Sequence, residues 1–210
     1  MSNSISTLYR FSLATIFTFA AIFAGEVTAA GATLDFARAD AAPGNMRFGW
    51  IHGSRSAKHN TDVRVQVHRY NEHTYMLRQN PAIHWEAPFM YLLFGNDRAV
   101  LLDAGATAEA EYFPLLDTVN ELIARWEVAN GKSGTQLMVL PLGNDFSQIQ
   151  GVEQFTGRPN TVVVEPGAAG WKKYLELDNK VAGQGVLELG GRKLAVVATP
   201  GLSDNAISLY

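Results

Sequence analysis

The sequence of 210 residues contains no cysteine. This absence excludes a disulfide scaffold, an iron–sulfur cluster, a cysteine-ligated zinc site and a thiol nucleophile. Charge is sparse and balanced, with 17 Lys and Arg against 20 Asp and Glu and no block of one sign. That balance argues against nucleic acid as a partner. With 47% hydrophobic residues, the chain is also too apolar to be intrinsically disordered.

Histidine is scarce, and none occurs after residue 84. No two histidines stand as H-x-H or at i and i+4, the spacings that aim two imidazoles at one metal. His68 falls on the polar face of a predicted strand, so we expect it to be solvated or to support a neighbouring group. The segment His84-Trp85-Glu86 precedes an apolar strand. It has either a special role or only the packing role of a loop over the sheet edge.

The N-terminus has the pattern of a secretory signal. A mainly apolar run of fifteen residues, 11–25, follows Arg10, and small residues follow it. The run is shorter than the ~20 residues that span a bilayer. We therefore predict a signal peptide over residues 1–32, a secreted or periplasmic protein and no stable membrane span after signal removal. An uncleaved anchor and a buried core helix are the alternatives.

Residues 33–61 are rich in Ala, Gly, Ser and charge, which predicts a loosely structured lead-in. The domain is predicted to span residues 62–210. Its first half shows period-two alternation and turn signals such as Gly95-Asn96-Asp97, which are typical of an antiparallel meander. The four predicted strands lie at 63–68, 74–77, 89–94 and 99–102.

Helical periodicity begins after Gly105. An amphipathic helix is predicted over 113–129, with Pro114 in its first turn and Gly131 after its end. Meander first, with helix and strand alternating later, predicts a mixed α/β fold with helices packed on a sheet. The later predicted elements are a strand at 137–142, a helical segment at 148–156, a strand at 161–164, a helix at 168–176, and strands at 185–189, 193–198 and 207–210.

Five segments, in this order and spacing, resemble the metallo-β-lactamase-fold hydrolases. They are Tyr70–Asn80, Glu86–Gly95, Ala99–Thr107, Gln154–Thr161 and Ala198–Gly201. The resemblance runs from about residue 62 to Tyr210. It implies a four-layer αββα sandwich of two similar halves, with a metal site at the edge between the two sheets. Here the N-terminal half is expected to be complete and the C-terminal half incomplete, as in a truncated member of the family.

The family binds one or two zinc ions through H-x-H-x-D-H-x-x-G, and the metal lowers the pKa of a bound water to ~7. Anchoring that motif on Gly151 places its ligand positions at Gly143, Asp145, Ser147 and Gln148. Of these, only Asp145 has a metal-binding side chain. Another ligand position, after Thr199-Pro200-Gly201, is held by Leu202. We therefore expect no zinc and no other cofactor.

Asp103 stands where the family keeps an aspartate after a strand, followed by Gly105. The resemblance implies that this aspartate supports the metal loop. Because the metal ligands are absent here, we favour the alternative of a turn aspartate that binds its own backbone. His84 and Glu86 are the other residues to which we assign a supporting or structural role.

Three functions remain open at this stage. The first is a non-catalytic remnant or binding module. The second is a secreted hydrolase of β-lactams, thioesters or lactones with a non-standard site, for which the candidate residues are His84, Asp145, Ser147, Ser203 and Asp204. The third is an interaction protein, because an incomplete sandwich exposes apolar surface that a second copy or another protein would cover.

Overall fold

The computed structural model describes residues 33–36, 44–54, 56–177, 184–201, 203 and 206–210. The predicted signal peptide and Leu202 lie outside these residues. No helix in these ranges is long and apolar enough to cross a membrane.

The main sheet has six strands in chain order. Strands β1 to β4 form the predicted antiparallel meander, and β4, β5 and β6 are parallel neighbours. Parallel strands end at the same edge, so the loops after β4 and β5 meet there. The strands are β1 (Val65–Asn71), β2 (Thr74–Gln79), β3 (Phe89–Phe94), β4 (Arg98–Leu102), β5 (Gln136–Leu140) and β6 (Thr161–Val163).

A second sheet has four strands in the order β10-β9-β8-β7, each antiparallel to its neighbour. The strand β7 was not predicted, because two residues carry no periodicity that a sequence pattern could reveal. The strands are β7 (Glu176–Leu177), β8 (Gln184–Glu188), β9 (Lys193–Ala198) and β10 (Ile207–Leu209).

The predicted long helix is α1 (Leu115–Asn130). It begins two residues later than predicted because Pro114 takes the N-cap position, and it ends at Gly131, whose φ of 60° is left-handed. Gln154 closes its first turn: the side-chain oxygen accepts from the N–H of Leu116 at 3.1 Å, and the amide nitrogen donates to the Phe113 carbonyl at 2.9 Å. Such caps satisfy the orphan groups of a helix start.

The helical segment predicted at 148–156 is two elements, α2 (Phe146–Ile149) and a 3-10 helix (Gln150–Phe155). The last helix in the described part of the chain is α3 (Ala168–Tyr174).

Two hydrophobic cores lie on the two faces of the main sheet. One packs α1, through side chains such as Trp126, against residues of β1 to β5 such as Leu77. The other packs the opposite face, with Leu140 for example, against Leu187 and Val196 of the smaller sheet and against Trp171 of α3. The predicted mixed α/β class and two-sheet sandwich are confirmed, and α1, the main sheet and the smaller sheet form three stacked layers.

The lead-in residues 44–51 lie along β1. Asn45 donates to the Tyr70 carbonyl at 2.7 Å, and the ring of Phe48 stacks on that of His68 with centroids 4.4 Å apart. His68 is therefore buried, with its Nε2 2.5 Å from the Asn45 carbonyl oxygen. The expectation of a solvated His68 was wrong, because the lead-in covers a face that the strand pattern alone shows as polar.

The tips of two hairpins interlock and join the sheets. A side chain at Gly95 would overlap the backbone of Leu189, and one at Gly190 would overlap that of Asp97. Arg192 extends from the β8–β9 hairpin to the main sheet. It donates to the carbonyls of His73 at 2.8 Å and Phe94 at 3.2 Å, and to the hydroxyl of Thr74 at 2.9 Å.

Candidate functional site

Asp103 lies immediately after β4, at the edge where the parallel strands end. Its φ of 60° is left-handed, a conformation that is uncommon for a non-glycine residue but that aspartate tolerates better than most. The carboxylate accepts from the N–H of Leu142 at 2.8 Å and from the Gln148 amide at 3.5 Å. Asp103 thus ties the end of β4 to the loop after β5 and to α2.

Burial raises the pKa of Asp103 to about 6, although the hydrogen bonds from Leu142 and Gln148 oppose the rise. A carboxyl group that titrates near neutral pH at the end of a sheet is a recognised marker of a functional site, although structural networks produce the same shift.

Gln79, at the end of β2, holds the loop that follows Asp103. Its side-chain oxygen accepts from the N–H of Ala106 at 2.8 Å, and its amide donates to the Thr107 hydroxyl at 2.7 Å. Gly105 is required at the centre, because its φ is +77° and a Cβ atom there would lie 2.7 Å from the ring of Phe113. This network fixes the backbone beside Asp103.

The loop between β5 and α2 is held by hydrogen bonds to Gln148, a residue of α2. Asp145 takes the N-cap position of α2, and its N–H donates to Oε1 of Gln148 at 3.3 Å. The Gln148 carbonyl accepts from the N–H of Ala104 at 2.8 Å. Gln148 therefore bridges both loops at this edge.

Gly143 shows how closely that glutamine fills the loop. A Cβ atom at Gly143 would lie 2.5 Å from Oε1 of Gln148 and 3.3 Å from Oγ of Ser203. The Ser203 hydroxyl is buried and has no hydrogen-bond partner among the residues that the structure describes. A side chain at position 143 thus has no room while Gln148 holds its place.

The loop between β2 and β3 brings His84 to the same edge. The Asn80 side chain shapes the start of this loop by accepting from the N–H of Ala82 at 2.8 Å. Nδ1 of His84 accepts from the Glu86 N–H at 3.4 Å and lies 3.7 Å from the Glu86 carboxylate. Ala87, with φ of 43°, closes the turn.

Three aromatic rings form a row along this edge, the stack Trp85–His84–Phe146. The His84 centroid lies 6.0 Å from that of Trp85 and 5.6 Å from that of Phe146. The outer members are accessible: Trp85 is 81% exposed and Phe146 53% exposed. The structure therefore places the predicted site residues His84, Glu86 and Asp145 around one surface.

These residues do not fit zinc. The four positions after β5 offer one carboxylate, one hydroxyl and one amide, and Gln148 already bonds with Asp103 and Asp145. Within the described ranges, no three His, Cys, Asp or Glu side chains form a metal-binding group. Zinc sites use three or four nitrogen, sulfur or carboxylate ligands.

Sequence reasoning missed Gln79 and Phe146. Gln79 is a buried polar residue at a strand end, which a pattern of alternation treats as an ordinary polar position. The sequence does not reveal that Phe146 is exposed, because its exposure depends on where α2 begins.

No family model matches the chain, and no curated protein matches it. Similar solved structures include the metallo-β-lactamase MIM-2 (19% identity, 65% of this chain, 53% of that one, TM-score 0.41). A metallo-β-lactamase from Erythrobacter litoralis matches at 14% identity over 70% of this chain and 66% of that one, with a TM-score of 0.46. A mutant flavo di-iron protein from Thermotoga maritima matches at 16% identity over 70% of this chain and 39% of that one, with a TM-score of 0.40. The chain spans about half to two thirds of the length of these β-lactamases. Similarity at this level concerns the fold, so the function is inferred from this chain's own residues.

Proposed function

We propose that this chain is a divergent metallo-β-lactamase-like protein that binds a ligand without zinc and without hydrolysing it. The observation that carries the proposal is the position of Gln148. Its amide fills the space beside Gly143 and joins Asp103 to Asp145, so the loop that binds metal in the resembled family is closed by internal hydrogen bonds. Zinc would have to displace this network and would gain one carboxylate.

The Trp85–His84–Phe146 stack is the binding surface. Exposed aromatic rings attract cations through their faces, and the carboxylates of Glu86 and Asp145 adjoin this row in sequence. The ligand that this combination favours is an organic cation such as a quaternary ammonium ion.

Titration with benzyltrimethylammonium, followed by calorimetry, tests the binding function. Trp85→Ala and Phe146→Ala are each expected to weaken binding several-fold. Met46→Ala, which removes an exposed apolar side chain at the other end of the sheet, is expected to leave it unchanged. No saturable heat at millimolar ligand, or equal binding by all three variants, would refute the proposal.

The alternative is a secreted hydrolase acting through a non-standard site. His84 packs against Phe146, the neighbour of Ser147, which favours this alternative. However, no hydroxyl in the described part of the chain donates to His84, so His84 and the described hydroxyls do not form the paired nucleophile and base that this alternative needs. Assays with ester, thioester and β-lactam substrates decide the matter: turnover that Asp145→Ala abolishes would establish the hydrolase, and its absence supports binding.

We also propose that the outer face of the smaller sheet is covered by a second copy or another protein. Val186, Ala195 and Val197 lie on that face and are only half-buried. Light scattering tests this, and a monomer at high concentration that binds no apolar dye would contradict it.

Secretion is a separate proposal that rests on the sequence pattern of residues 1–32. Expression in a bacterial host followed by mass spectrometry of the periplasmic fraction tests it. A mature chain that begins near residue 30 is expected, whereas an intact N-terminus in the cytosol would contradict it.

A further inference from the structure

A cavity of about 470 Å³ lies between α1 and the β1–β2 hairpin. It is at the opposite end of the main sheet from Asp103, because it adjoins the turn that begins β2, whereas Asp103 adjoins the end of the parallel strand β4. Its volume falls in the range of small-molecule sites. The cavity is therefore separate from the Trp85–His84–Phe146 stack.

The inner part of this cavity is apolar and aromatic. Tyr75 and Trp126 are almost fully buried and form its floor, and Val67 and Leu122 continue the wall. The indole of Trp126 already donates to Nδ1 of His73 at 3.0 Å. The hydroxyl of Tyr75, in contrast, makes no hydrogen bond among the residues described, so it is available to a ligand.

The mouth of the cavity carries charges of both signs. Arg69 is the cross-strand partner of Tyr75 in the β1–β2 hairpin, so its guanidinium rises from the same face, next to the phenol ring. Glu72 lies in the hairpin turn. Arg69 and Glu72 both line the cavity, so the two charges face the same space. Arg125 completes the rim, but its guanidinium already pairs with Glu121.

We infer that this cavity binds an α-amino acid with an aromatic or large aliphatic side chain. Arg69 provides the bidentate donors that a carboxylate prefers, and Glu72 provides a partner for the ammonium group. The apolar side chain then covers the ring of Tyr75 and the wall of Leu122. Among the residues described, Arg69 makes no ion pair, and its juxtaposition with one anion and an aromatic floor selects a zwitterion over either singly charged analogue.

Calorimetry with three probes tests the inference: L-phenylalanine, 3-phenylpropionate, which lacks the ammonium group, and phenethylamine, which lacks the carboxylate. L-Phenylalanine is expected to bind at least several-fold more tightly than the other two. Arg69→Gln should weaken L-phenylalanine and phenylpropionate. Glu72→Gln should weaken L-phenylalanine and phenethylamine and leave phenylpropionate unchanged or stronger.

A variant that partly fills the cavity tests whether L-phenylalanine binds there. Ala129 lines the cavity from an exposed position of α1, so Ala129→Leu occupies part of it without entering the core. It is expected to reduce L-phenylalanine binding at least tenfold, whereas Ala124→Leu, elsewhere on the exposed surface of α1, is expected to have no effect. No saturable binding of L-phenylalanine at millimolar concentration would overturn the inference. Binding that both Arg69→Gln and Ala129→Leu leave intact would overturn it equally.

Discussion

Oε1 of Gln148 lies 2.5 Å from the point where a side chain at Gly143 would begin. Position 143 carries no side chain, and the side chain of Gln148 fills the space beside it. The two residues are complementary in volume, and the same Gln148 amide reaches Asp103. This edge of the sheet is thus closed by packing and hydrogen bonds.

The first prediction concerns Asp103 and pH. Its folded pKa of about 6 lies above the ordinary value of 3.8, so the folded state binds the proton more strongly than the unfolded state. The protonated carboxyl of Asp103 therefore stabilises the folded state, and this stabilisation is fully present below pH 3.8 and is lost as pH rises through about 6. The loss amounts to about 3 kcal/mol of unfolding free energy. Asp103→Asn cannot titrate, so its unfolding free energy should fall less than that of the wild type between pH 4 and pH 7, as measured by urea unfolding.

The control for Asp103 is Glu109→Gln, which removes an exposed carboxylate from the loop before α1. It should leave the pH dependence of the wild type unchanged. An equal loss of unfolding free energy in Asp103→Asn and in the wild type between the two pH values would contradict the raised pKa of Asp103.

The second prediction concerns His73 and has the opposite sign. Burial lowers the pKa of His73 below 6.5, assisted by Arg192 and Arg69 and opposed by Glu72. The unfolded state therefore binds the proton first, and stability falls as pH falls through 6.5. Protonation of Nδ1 also breaks the bond from Trp126. His73→Asn should remove this decrease, so urea unfolding should show that the variant loses less, or gains more, unfolding free energy than the wild type between pH 7 and pH 5.5, whereas His59→Asn, at an exposed site, should match the wild type.

The third prediction tests the contact between the Asp103 loop and the 3-10 helix. A Cβ atom at Gly151 would overlap the carbonyl oxygen of Ala104. Gly151→Ala is expected to cost about 1–3 kcal/mol of unfolding free energy, the usual cost of overpacking. Gly49→Ala, in open space, is the matched control. Equal urea midpoints for the two variants would mean that the loop and the helix are not in contact.

The fourth prediction concerns the join between the sheets. Arg192→Met keeps the apolar stem but removes the guanidinium that donates to the carbonyls of His73 and Phe94 and to the Thr74 hydroxyl. A loss of about 2 kcal/mol or more of unfolding free energy is expected, because hydrogen bonds from a charged donor are lost where the sheets join. Lys193→Met removes an exposed neighbouring charge and should change urea stability by less than about 0.5 kcal/mol. A neutral Arg192→Met would contradict the bridging role.

Much of the fold could be predicted from local patterns. The alternation at Val65 and Val67 and the turn at residues 95–97 give the meander, because one face of each strand is buried and the turns need particular backbone conformations. Bounds were less accurate where a cap decides them, as at Pro114.

The candidate site was only partly predictable. The sequence shows that Gln148 is not a histidine, but its bond with Asp103 depends on two loops that meet only in the folded sheet. Likewise, His84 and Phe146 are 62 positions apart, and no local pattern relates them. The buried Gln79, the cover over His68 and the cavity beside Trp126 have the same origin in long-range packing.

The most direct test of the central claim is the zinc content of the purified chain. The protein is dialysed against excess zinc and then against metal-free buffer, and bound metal is measured by inductively coupled plasma mass spectrometry. We predict no retained zinc, in the wild type and in Asp145→Ala alike, because Gln148 closes the loop. One tightly held zinc ion per chain, lost in Asp145→Ala, would contradict the account.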